Sequence, residues 1–176
     1  EADGITLYHG DCLEIDAWQG GDVLVTDPPY GMNRAFDYSR ITRANVPVIR
    51  GDKDTSSRDA ALALWGDRPA LVFGTWHKPR PSGTRQLIVW DKGRQSLGEA
   101  SSSWQCSHEE IYVLGQHQPG HRQTVLQVKV ERGGDRPDHP TPKPVGLMEL
   151  LLDVAAPGTV VDPFAGSGST LLAARN

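Results

Sequence analysis

The chain has 176 residues, 38% of them hydrophobic, and a net charge of −4 at pH 7. That is the size of one compact α/β domain, read here as a single unit over residues 1–176, and the negative balance excludes a protein that merely coats nucleic acid through bulk positive charge. No apolar run is long enough to span a membrane, and two distant cysteines with six scattered histidines form neither a disulfide framework nor a metal motif, so no membrane partner and no metal are expected and a reducing cytoplasm is.

In chain order, Ile5 to His9 reads as a short strand that leads into Gly10-Asp11. Asp22 to Thr26, "DVLVT", is a buried-strand run ending at Asp27. Residues 31–58 lack apolar periodicity and read as a long polar loop rich in arginine. "RDAALALWGD" has Ala61, Leu64 and Trp65 on one helical face. "ALVFGTW" and "QLIVWDKG" are two more strands, and "EEIYVLG" is another. No helix signal separates the last two, so they are expected to pair antiparallel at one edge of the sheet. Residues 116–138 are polar, with a turn at Gly133-Gly134. "PTPKPVGLMELLLDVAAPG" is the clearest helix: Thr141 can cap it, Pro142 and Pro144 suit its first turn, and Leu147, Leu150, Leu151 and Val154 form a stripe. "TVVD" is a final strand, followed by a Gly/Ser turn and the start of a helix. Apolar strands with helices between them predict a mostly parallel, doubly wound, Rossmann-like sheet with an antiparallel edge pair. Trp65, Trp76, Trp90 and Trp104 read mainly as packing, with Trp76-His77 also able to line a pocket at a strand end. Cys106 is expected to be buried and inert.

Two motifs carry chemistry. In "DVLVTDPPYG", Asp27 stands at the carboxyl end of a buried strand, where open α/β sheets place their ligands. Pro28 and Pro29 remove two donors and stiffen the chain, while their carbonyls stay as acceptors. With the Asp27 carboxylate and the Tyr30 ring, this tetrapeptide offers acceptors for an amino group beside a stacking surface, which suits a planar base. In "VVDPFAGSGST", Gly166 and Gly168 permit positive φ and close backbone approach to a ligand. The third glycine of the dinucleotide fingerprint is missing, so a nicotinamide cofactor is a poor fit.

Together these stretches resemble the S-adenosylmethionine-dependent DNA amino-methyltransferases, which methylate adenine N6 or cytosine N4. "DPPY" resembles their catalytic motif, and "DPFAGSGST" their cofactor loop. "HPTPKPVGLMELLL" resembles the segment before that loop, and "GDCLEI" the acidic site for the cofactor adenine. The catalytic motif precedes the cofactor loop, which is the permuted order of the family's β class, and the match spans nearly the whole chain. The resemblance implies that Asp27, Pro28, Pro29 and Tyr30 hold the target base. It implies that Asp162, Phe164, Gly166, Ser167 and Gly168 wrap the methionine part of the cofactor, with Ser169 and Thr170 opening the next helix. Lys143 reads equally as a ligand for the cofactor carboxylate and as a solvated helix-end lysine. Asp11 would accept a hydrogen bond from the cofactor adenine, or simply close a Gly-Asp turn.

The implied partner is double-stranded DNA, with adenine N6 favoured because the cytosine N4 enzymes more often carry Ser at the position of Asp27. The alternatives are cytosine N4 methylation, an RNA or protein glutamine substrate, and a catalytically inactive nucleic-acid-binding subunit. Residues 116–138, with His117, His121, Arg122, Lys129, Arg132 and Arg136, and residues 31–58 are the expected DNA-facing loops; the 116–138 interval looks too small to read a site alone, so the 31–58 loop or a second subunit, as in a homodimer, is expected to help. The family's sheet also places a strand between the "TVVD" strand and the "ITLYHGD" strand, with an acid for the cofactor ribose. Nothing here supplies it, which leads to the expectation that the chain is incomplete at its C-terminus.

Overall fold

The computed structural model describes residues 4–31, 51–93, 103–104, 106–130 and 142–176. One six-stranded sheet runs through it, in the order β5-β3-β4-β2-β1-β6. The strands are β1 Val23–Thr26, β2 Ala70–Gly74, β3 Thr84–Asp91, β4 His108–Leu114, β5 Val125–Gln127 and β6 Val160–Val161. Helices α1 Ser56–Trp65, α2 Val145–Leu152 and α3 Ser169–Arg175 accompany them, with one 3-10 turn at Ala17–Gly20. Pairing is parallel for β1 with β2, β1 with β6 and β3 with β5, and antiparallel wherever β4 takes part.

Strand alternation divides the core. Val23, Val25, Leu71, Phe73, Trp90 and Ile111 face α2 and α3, whose Leu147, Met148, Leu151 and Ala173 complete one cluster. Leu24, Ala70, Val72 and Tyr112 point the other way and meet Trp18, Ala61 and Trp65. Both faces are thus covered, which explains why β1 and β2 read as unbroken apolar runs rather than alternating ones. Trp18 and Trp65 stack with ring centroids 6.0 Å apart. Arg68 lies 3.6 Å over the Trp65 ring and donates to the Gln19 and Gly21 carbonyls, tying α1 to the segment before β1.

Several expectations are corrected. β3 and β4 do pair antiparallel, but one strand in from the edge: β4 lies between β2 and β3, and β5 lies outside β3. Residues 116–138 therefore contain a strand, signalled by the alternation of Leu126, Val128 and Val130 toward the core and held by Val89 N–H to the Thr124 carbonyl at 2.7 Å and Val128 N–H to the Asp91 carbonyl at 3.1 Å. Residues 6–9 form no strand; Ile5 alone makes an isolated bridge, and Leu7 and Tyr8 are exposed. Helix α1 begins at Ser56, inside the stretch read as loop, and buries Arg58 where Leu64 was expected; Leu64 is exposed. Helix α2 begins only at Val145, because each proline biases the residue before it toward extended backbone. Pro144 is its N-cap, without a side-chain cap, and Thr141 lies outside the described residues. Trp65 and Trp90 are core, but Trp76 and Trp104 are 59% and 89% exposed. Cys106 is exposed as well, lying just before β4 with its thiol 3.2 Å from the His108 carbonyl.

Because β4 alone is reversed, the carboxyl ends of the other strands and the start of β4 share one edge of the sheet. Asp27, Thr75, Lys92 and Asp162 follow strand ends there, and Glu109 opens β4 beside them. Among the described residues, no helix is long and apolar enough to cross a membrane.

Candidate active site

A cleft of about 1290 Å³ runs along that edge. Asp27–Tyr30 line it from the end of β1, and residues 158–167 line it around the end of β6. Trp76, His77, Lys92, Glu109 and Lys143 complete this wall. Trp76 and His77 stack on each other with ring centroids 3.7 Å apart. The "DPPY" and glycine-loop stretches therefore line one cleft.

Around Asp27 the cleft floor is ionic. Lys143, 7% exposed, donates from Nζ to Asp27 Oδ2 at 2.6 Å. The same Nζ lies 3.3 Å from Glu109 Oε2, while Glu109 Oε1 is 2.6 Å from Lys92 Nζ. Burial works against the Lys143 charge, but Asp27 foremost, then Glu109 and Tyr30, hold its pKa well above the ordinary lysine value. Burial likewise works against the Glu109 carboxylate, and Lys143 and Lys92 outweigh it, keeping its pKa below the ordinary value. Burial lifts the Tyr30 hydroxyl far above its usual range, with Lys143 pulling the other way, so Tyr30 stays a neutral phenol at any working pH. Lys143 is thus committed to carboxylates. A bond to a cofactor carboxylate would be a further one on the same ammonium, which has three donors.

Around Asp162 the partners are neutral. Thr26 Oγ1 donates to Oδ1 and Thr170 Oγ1 to Oδ2, both at 2.6 Å, and Phe164 N–H reaches Oδ1 at 3.1 Å. Burial pushes the Asp162 pKa up to about 6, against the pull of Thr170, Thr26 and the Phe164 amide. The glycine turn that follows has Gly166 at φ 49° and Gly168 at φ 77°, the left-handed conformations that side chains resist. Gly168 is the N-cap of α3, and Ser169 and Thr170 open the helix as expected. Ser167 Oγ lies 3.1 Å from Ser169 Oγ and joins the cleft wall with Phe164.

Asp11 is not brought to this wall. It is exposed, and its Oδ1 accepts the Leu13 N–H at 3.0 Å in a local turn; Gly10 and Cys12 line the cleft instead. Of the basic residues expected near DNA, Arg122 pairs with Asp153 at 2.8 Å and His117 Nε2 meets the Leu114 carbonyl at 3.0 Å. Arg132, Arg136 and most of the 31–58 loop lie outside the described residues.

Sequence reasoning missed Lys92, Glu109 and Thr26. A signal existed for Glu109. Two acids open the apolar strand "HEEIYVLG", and successive side chains take opposite faces. Glu109 meets the lysines, whereas Glu110, 4% exposed, accepts from Arg80 at 3.0 Å and from the Tyr112 hydroxyl at 2.7 Å. The reversal of β4, which carries that pair to the carboxyl edge, was not visible in advance.

Chemically, the site offers a carboxylate and rigid proline carbonyls beside an aromatic ring at one strand end. At the next strand end it offers a second acid and a glycine turn. Comparison with known proteins gives this arrangement a lineage. The chain is similar to the candidate methylase YubD of Escherichia coli (strain K12), 28% identical over 190 residues that cover 96% of this chain and 78% of that protein. A 53-residue stretch is 45% identical to the type II methyltransferase M.HindIII of Haemophilus influenzae, covering 29% of this chain and 17% of that enzyme. The fold is similar to that of the M1.HpyAVI–SAM complex, with a TM-score of 0.59 at 20% identity over 96% of this chain and 87% of that one. The N6_N4_Mtase family model, described as DNA methylase, matches residues 22–176, and the chain belongs to that family of DNA methylases.

Proposed function

We propose that the chain transfers a methyl group from S-adenosylmethionine to the N6 amino group of an adenine flipped out of double-stranded DNA. The observation that carries this reading is the placement of Asp27–Tyr30 at the end of β1, facing the cleft, with Asp27 paired to Lys143 at 2.6 Å. Asp27 and the Pro28 carbonyl would accept the two amino hydrogens, which draws the nitrogen lone pair out of conjugation with the ring. Tyr30 would stack on the base. Pro28 and Pro29 fix the direction of these acceptors, so little reorganisation is needed when the base arrives. A base inside the duplex cannot reach the cleft, hence the flip.

The residues of the β6 end fit the cofactor. The two left-handed glycines open the turn, Phe164 gives an apolar wall, and the acid Asp162 faces a molecule that carries positive charge. When bound, S-adenosylmethionine supplies a methyl group activated on a cationic sulfur. Asp11 would accept from the cofactor adenine through its second oxygen, Oδ1 keeping the Leu13 N–H. Asp27, rather than a serine, favours adenine over cytosine. The likeness to M.HindIII supports a place in restriction–modification.

Labelled S-adenosylmethionine offered with duplex DNA, RNA and protein tests the substrate class, and mass analysis of the digested nucleosides tests the base. The expected product is N6-methyladenine in duplex DNA. N4-methylcytosine alone, or label only in RNA or protein, would overturn the assignment.

A further inference from the structure

Lys92, Glu109, Lys143 and Asp27 form a row of alternating charge, with successive contacts of 2.6, 3.3 and 2.6 Å. They come from four places in the chain: the end of β3, the start of β4, the extended stretch before α2 and the end of β1. The row holds two ammonium and two carboxylate groups, so it is balanced as it stands. Its middle contact differs from the outer two. Lys143 donates a hydrogen bond to Asp27, yet Glu109 Oε2, only 3.3 Å from the same nitrogen, is buried without a hydrogen-bond partner. A buried carboxylate oxygen left in that state is unfavourable. Lysine carries three donors on a freely turning ammonium, so the missing bond is one small rotation or shift away.

On the proposed function, the substrate's amino group must reach the Asp27 carboxylate that Lys143 now holds. If Lys143 simply withdrew, a buried ammonium would be left without its carboxylate, and the cost would weigh on every turnover. We propose that Glu109 is a positioning residue that receives the Lys143 ammonium as the substrate amino group takes its place on Asp27. The exchange moves no net charge into or out of the cleft. One hydrogen bond to Asp27 is replaced by another, and the 3.3 Å ion pair at Glu109 Oε2 becomes a hydrogen bond. Lys92, on the other oxygen, keeps Glu109 in place throughout. Glu109 acts through Lys143 and touches neither base nor cofactor. The idea rests on the amino-methyltransferase reading, although not on which base is methylated.

Steady-state kinetics and calorimetry on the whole chain test it. Glu109→Gln should lower kcat about tenfold or more while the cofactor Kd stays within about threefold. Adding Lys143→Met to that variant should recover part of the lost kcat, because the ammonium that can no longer leave Asp27 is gone. A single variant with the parent's kcat overturns the proposal. So does a double variant no faster than the single one, since Glu109 would then act by another route. A selective loss of cofactor affinity overturns it too, by placing Glu109 on the cofactor. Should Glu109→Gln fail to fold, lysine side-chain nitrogen NMR on the parent protein still decides. The Lys143 resonance should move when target duplex is added to the protein with S-adenosylhomocysteine, and an unmoved resonance overturns the exchange. The nucleoside formed by the parent is read separately, so failure of the adenine assignment and failure of the Glu109 proposal are distinguishable.

Discussion

Two acids end neighbouring parallel strands, Asp27 after β1 and Asp162 after β6, yet their surroundings are opposite in kind. Asp27 meets a buried ammonium at 2.6 Å, within a row of four charges. Asp162 meets two threonine hydroxyls and a backbone amide, all neutral, and its pKa rises to about 6. Position in the fold therefore does not assign a role to a carboxylate; its partners do. An acid whose lysine has a second carboxylate within reach suits a neutral donor such as an exocyclic amine. An acid held only by dipoles retains uncompensated negative charge and suits a cationic ligand.

Removing the first acid should have the largest effect. Asp27→Ala is expected to reduce methyl transfer by about 10²–10³-fold or more, with cofactor affinity changed only a few fold, as measured by single-turnover kinetics and calorimetry. Loss of both together would erase the distinction between the two strand ends. Next comes the turn beside the second acid. Gly166 sits at φ 49°, so Gly166→Val forces a branched side chain into left-handed backbone. Cofactor affinity should fall by about tenfold or more, since 1–3 kcal/mol of strain is of that order. Parent-like binding by calorimetry would exclude this turn from the cofactor site.

The pH dependence sharpens the contrast. Below pH 6 Asp162 is protonated, and a cationic ligand must expel that proton to pair with the carboxylate. Affinity for S-adenosylmethionine should therefore fall with decreasing pH, approaching about tenfold per unit well below 6, and Asp162→Asn should flatten that slope. The sign for folding is the reverse of the usual aspartate. A raised pKa means that the native state holds the proton more tightly than the unfolded chain. This contribution to stability is full below the unfolded value near 4 and is lost as pH rises through about 6. Melting curves of the parent and Asp162→Asn should diverge in that window. The smallest effect is expected at the other carboxylate pair of β4. Arg80 is half exposed where it meets Glu110, so Arg80→Ala should leave the denaturant midpoint little changed. A large loss there would mean that Glu110 depends on its cation as Glu109 does.

Much of the fold was legible in the residues themselves. The buried runs "VLVT" and "ALVFG" became the parallel pair β1 and β2, and the Asp-Pro-Pro-Tyr and glycine-loop motifs fell at adjacent strand ends. Those signals are local: apolar continuity, proline stiffness and the φ freedom of glycine need no partner to be read. Lys143 was legible as a lysine near a helix start, read equally as a ligand for the cofactor carboxylate and as a solvated side chain. Its bond to Asp27 spans 116 positions, and no local pattern encodes it. Glu109 was hidden for the same reason, as was the reversal of β4 that delivers it to the carboxyl edge. Strand β5 is only three residues long, so the alternation of Leu126, Val128 and Val130 is a weak local signal, and the strand forms because β3 presents it with a hydrogen-bonding edge. The sequence by itself determined which chemical groups exist and which short segments hold them rigid. Only the tertiary structure decided which charges meet, because burial and pairing of ionised groups are set by long-range packing, and in this cleft that packing gives one aspartate a lysine and the other two threonines.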